Sequence, residues 1–194
     1  MYAGRTISRW HHRSDAGRVS YQTALGGWHD FYVVAGTASA TLVGLLFVGL
    51  SLHLRIVVAS SDVRSLARVT LTNFATVLFV ALFMVIPQNQ SAAAFQLVGT
   101  GLVSLLVNAP SLVAAARSHE RTLPLSRLVL RFGLSTVSYL GVILAGIQLP
   151  SSFSAAFSWL VIATVVLLVV SLRNTWDLLV TVGDVTLGGE REED

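Results

Sequence analysis

The side chains of this chain that could do chemistry are amides and hydroxyls set inside long apolar runs. In one run Gly101, Ser104, Asn108 and Ser111 recur at i, i+3, i+7 and i+10, a single stripe on a helix. In the run before it Asn73 stands beside Thr72 and Thr76. In the run after it Ser138, Gly141, Ala145 and Gln148 make a similar stripe. Such stripes fit two chemistries. They can line a hydrated path through a bundle, or they can hold helices together. In the second case small residues let backbones approach, and Asn bridges neighbours for about 0.6–2 kcal/mol each. Packing is the expected role.

Catalytic constellations are missing from the same runs. No Asp, Glu, Lys or Arg lies centrally in any of them. Ion-coupled carriers keep ionisable groups there, because so costly a residue persists only for function. Intramembrane metalloproteases would need His and acidic ligands at helical spacing. Ser51, Ser104, Ser138 and Ser158 have no G-x-S-x-G context and no general base nearby. The pair His11-His12 lacks a third ligand, and His53 has no partner by sequence. There is no cysteine, which removes disulfides, thiolate metal sites and thiol nucleophiles. The expectation is a protein without catalytic residues, cofactor or metal, and not an enzyme.

The elements that must carry these stripes are read from hydropathy. Hydrophobic residues make up 54% of the 194 and charged residues 12%. A soluble domain carries about 25% charged residues, so the chain reads as a polytopic membrane protein. The run 31–54, FYVVAGTASATLVGLLFVGLSLHL, has no formal charge over two dozen residues. As a helix it can cross a hydrocarbon core of roughly 30 Å. Gly36, Ala40 and Gly44 recur along it at i+4, which predicts a groove where a helix of this bundle or of a second copy packs closely. Further spans are expected at about 67–86, ended by Pro87; at 95–116, with Pro110 inside; at about 128–149, with Arg131 near its end; and at 153–172. The fold class is therefore all-α, a bundle of about five transmembrane helices.

The remaining segments are polar. Residues 1–28 carry four Arg against Asp15, lack helical periodicity and are expected to form a basic tail. The bundle proper would occupy 29–183 and an acidic disordered tail 184–194. A signal peptide is not expected, since the apolar run starts near residue 31 and is too long for an h-region. Every one of the thirteen basic residues is Arg, and they flank apolar runs without forming a basic face, so nucleic acid is not an expected partner. The first-to-second connection holds Arg55, Arg64 and Arg68 and the third-to-fourth holds four Arg, whereas the other two connections hold none. Positive-inside then predicts an external N-terminus and a cytoplasmic C-terminus in the inner (plasma) membrane. Arg173 and Asp177, four apart with Trp176 between them, read as an interfacial pair beside an aromatic anchor. The expected partners are the lipid bilayer and a second copy or another membrane protein.

Several short motifs carry a resemblance. Trp28-x-x-Phe31 precedes the glycine-bearing TLVGLLFVGLSLHL, Ile86-Pro87-Gln88 follows the second span, and Asn174-Thr175-Trp176-Asp177-Leu178-Leu179-Val180 follows the fifth. Together they resemble a family of small bacterial integral membrane proteins whose members are sometimes labelled modulators of the membrane protease FtsH. Asp177 and Thr181 depart from the residues usual in that family, and the 28-residue N-terminal segment is longer. The resemblance implies a helical membrane protein acting on other membrane proteins. The competing expectation is an oligomeric channel or passive pore.

Overall fold

Prolines and short polar turns set where the helices end. In the computed structural model, which describes residues 4–54, 58, 61–117 and 133–190, the chain forms five helices. They are α1 (Gly4–Leu52), α2 (Ser61–Val85), α3 (Gln90–Arg117), α4 (Leu134–Gln148) and α5 (Phe153–Glu190). Among the described residues there is no strand. Pro87 follows the end of α2, and Pro150 lies in the turn that closes α4. α3 runs on through Pro110. The Gln90 amide donates to the Leu149 carbonyl at 2.8 Å, tying the α2–α3 and α4–α5 connections together at one end of the bundle.

Four stretches are long and apolar enough to cross a membrane: Thr23–Leu52, Val63–Val85, Gln90–Ser111 and Phe153–Val180. The described part of α4 has 15 residues, about 22 Å at the helical rise, and is shorter than a hydrocarbon core. The expected start of that span, residues 128–132, lies outside the described residues, as does Arg131.

α2, α3, α4 and α5 pack in a ring, each against the next and α5 back against α2. α1 lies outside the ring against α2 and, less extensively, α5. α2 is central because its apolar and small residues recur at helical spacing on more than one side. Phe74, Val77, Val80, Ala81 and Met84 are all buried.

Two expectations for the termini are corrected. Residues 4–28 are not an unstructured tail but the first half of α1. The segment has no proline to stop it and has aromatic anchors to hold it: Tyr21 is buried against the Phe153 ring at 5.7 Å, and Trp28 stacks on Phe157 at 6.4 Å. At the other end α5 continues to Glu190, through most of the expected acidic tail; residues 191–194 lie outside the described residues.

Candidate functional site

The polar residues of the apolar runs meet inside the ring. Asn73 on α2 donates from Nδ2 to the Ser135 hydroxyl on α4 at 3.0 Å. Its Oδ1 accepts a short hydrogen bond from the Tyr139 hydroxyl, also on α4. That hydroxyl in turn accepts from Asn108 Nδ2 on α3 at 2.7 Å, and Asn108 also donates to the Ser104 carbonyl at 3.2 Å. The four side chains are buried, Asn73 and Tyr139 completely. The bonds run in one sense, from Asn108 through Tyr139 and Asn73 to Ser135. In a medium of low dielectric such a chain polarises and strengthens its members.

Further polar contacts extend this layer. The hydroxyls of Thr76 and Ser104 lie 2.7 Å apart between α2 and α3. Ser65 donates to Ser111 at 3.2 Å lower on the same interface. Ser39 on α1 donates to the Phe74 carbonyl at 2.6 Å. On α5, Thr164, Ser171 and Asn174 are also buried. Among the described residues no charged side chain is buried in the layer, which can orient and bond neutral groups.

The residues singled out by sequence divide clearly. Asn73, Ser104, Asn108 and Ser111 face inward and bond across helices. Gln148 contributes through its backbone, whose carbonyl accepts from the amides of Ser151 and Ser152 and so closes α4. Ser138 bonds its own helix, at the Leu134 carbonyl. Sequence reading missed Tyr139 and Ser135, which complete the chain of bonds. Tyrosine in an apolar run passes for a hydrophobe, and only the crossing of α2 and α4 supplies its partner.

The small-residue groove on α1 is covered within the chain only at its first member. Gly36 does pack inward, with the Ala81 methyl 3.0 Å from where its Cβ would stand. Ala40 and Gly44 are exposed within the chain, and a Cβ on Gly44 would meet nothing within 4 Å. The reason is geometric. Each step of four residues turns the helix about 40°, so the row drifts away from the buried face formed by Tyr32, Ala35, Ser39 and Leu46. The close crossing is instead between α3 and α4. A Cβ on Gly146 would come 2.9 Å from the Ala94 carbonyl oxygen, and one on Gly101 would press on Ile143 and come 3.0 Å from the Tyr139 carbonyl.

At the margins, Arg173 and Trp176 are exposed and Asp177 is half-buried on α5. The His53 ring lies 3.2 Å from the Gly49 carbonyl at the end of α1. Among the described residues no three His, Cys, Asp or Glu come together as a metal site. Between α2 and α3 an outward groove of about 530 Å³ is lined by Phe79, Phe83, Phe95, Gly99 and Val103, with Thr76 and Ser104 at its polar side. Compared with known protein families, curated proteins and solved structures, the chain matches none.

Proposed function

We propose that this chain is a non-enzymatic protein of a bacterial inner membrane that works by binding another transmembrane helix through the outward face of α1. The observation that carries this reading is how little of α1 its own chain covers. Ala40, Gly44, Leu45, Phe47 and Val48 all face away from the ring, and Gly44 has open space above it. Without a hydrophobic drive inside lipid, helices associate through close van der Waals packing, and small residues supply the approach. Asn73, Ser104, Asn108 and Ser111, meanwhile, bond side chains on other helices of the same chain. The bound helix belongs to a second copy or to another membrane protein. The latter agrees with the likeness to protease-modulating membrane proteins, whose role remains part of this proposal.

The N-terminus is placed outside and the C-terminus in the cytoplasm, with α4 counted as a fifth crossing. Both charge-free connections then lie outside, and the Gln90–Leu149 bond puts them at one end. Gly44→Ile tests the docking face. A Cβ there meets nothing within 4 Å, so folding and melting should hold while the associated species is lost on size-exclusion or in cross-linking. An unchanged association would refute the face.

A passive pore is the second reading, favoured by polar atoms in the ring that have no protein partner, such as Asn108 Oδ1. It differs in requiring ion flux that depends on those atoms.

A further inference from the structure

Many helix hydroxyls among the described residues bond their own backbone. Thr70, Thr72, Thr76, Thr100, Ser138 and Thr175 each donate to the carbonyl four residues earlier, at 2.7–2.9 Å. This is the ordinary way for Ser or Thr to satisfy itself in a helix. Thr164 and Ser171 break the pattern. Their hydroxyls are buried, with residue exposures of 1% and 0%, and have no hydrogen-bond partner. Asn174, one turn beyond Ser171 and 1% exposed, has its Nδ2 unpartnered as well. Asn108, 3% exposed, leaves Oδ1 unpartnered although its Nδ2 makes two bonds.

Packing brings the middle of α5 near the polar layer. Leu167, which shares a buried cluster with Val77 and Tyr139, stands three residues after Thr164 and four before Ser171. Both hydroxyls therefore lie within about one helical turn of the level of Tyr139, and Asn174 one turn beyond Ser171. A buried polar group with no partner forfeits its hydration, so native proteins almost always supply one.

We infer that these buried groups bind internal water, Thr164, Ser171 and Asn174 on α5 and Asn108 on α3. The donor set selects the ligand. Asn108 Oδ1 needs a donor, Asn174 Nδ2 needs an acceptor, and the hydroxyls can be either. A cation would serve only the oxygens, an anion would leave Asn108 Oδ1 without a donor, and an apolar molecule would serve none of them. Water serves all four and fits polar sites that offer several partners. This inference stands apart from the docking face on α1, and neither depends on the other.

The test separates a wet layer from a dry one. In a dry layer, Thr164→Val and Ser171→Ala remove hydroxyls that cost free energy, so the protein melts at a higher temperature. In a wet layer they strand water and melting falls, by about 2–4 °C per hydroxyl for a chain of this size. Thr72→Val, whose hydroxyl bonds the Arg68 carbonyl at an exposed position, is the control. A second readout sees the water itself. The chain has four asparagines, so ¹⁵N-Asn labelling gives a sparse spectrum in which Asn174→Leu assigns one pair of side-chain signals. Magnetisation transfer from water to the Asn174 amide is expected in the wild type. Its absence overturns the inference, and so does a Thr164→Val or Ser171→Ala protein that melts at or above the wild type.

Discussion

Tyr139→Phe removes one oxygen from the centre of the bundle and leaves everything else its size. The ring stays packed with Ala35, Val77 and Leu167. What goes is the hydroxyl that donates to Asn73 Oδ1 and accepts from Asn108 Nδ2. Side-chain hydrogen bonds between membrane helices average about 0.6 kcal/mol and reach about 1.7. Asn108 keeps its bond to the Ser104 carbonyl, but Asn73 Oδ1 loses the donor named here, and an orphaned buried acceptor costs about 1–3 kcal/mol. The expected loss is about 1–3 kcal/mol of stability, measured by reversible unfolding in mixed micelles. A double-mutant cycle with Asn108→Ala isolates the bond between them, because each change removes the same contact. The two losses should fall short of additivity by more than about 0.5 kcal/mol, the scatter expected of independent sites. A Tyr139→Phe protein within about 0.3 kcal/mol of wild type, or strict additivity in the cycle, would refute the view that this layer binds the helices together.

Three further outcomes are expected. Gly146→Val puts a methyl against the Ala94 carbonyl and forces α3 and α4 apart, costing about 1–3 kcal/mol; the same change at Gly44 meets open space and should leave melting unaltered. Tyr21→Ala removes the ring that pins the N-terminal half of α1 to Phe153, and should cost about 3 kcal/mol in the same unfolding assay. Reporter fusions after Asn89 and after Arg117 should report the outside and the cytoplasm respectively; the reverse pattern would overturn the orientation.

The helices were legible because hydropathy is a local signal: an apolar run must satisfy its own backbone, and proline marks where it stops. Asn73, Ser104, Asn108 and Ser111 were legible for a related reason, since a polar group inside such a run has few places to go. Tyr139 and Ser135 were not, because their meaning depends on which helices cross and at what height. The α1 groove shows the same limit. Gly36, Ala40 and Gly44 share a spacing, but which part of a helix is covered is decided by its neighbours, and α1 lies outside the ring. The N-terminal helix was hidden because its anchors, Tyr21 and Trp28, find their partners on α5, more than a hundred residues away in the chain.

The claim that the polar layer is packing and not a conduction path is tested most directly by ion flux. Wild-type protein and Asn108→Leu are reconstituted side by side in liposomes. The account predicts vesicles that stay tight in both cases, with Asn108→Leu modestly less stable because it loses its bond to Tyr139. A wild-type flux that Asn108→Leu abolishes while the fold stands intact would contradict it.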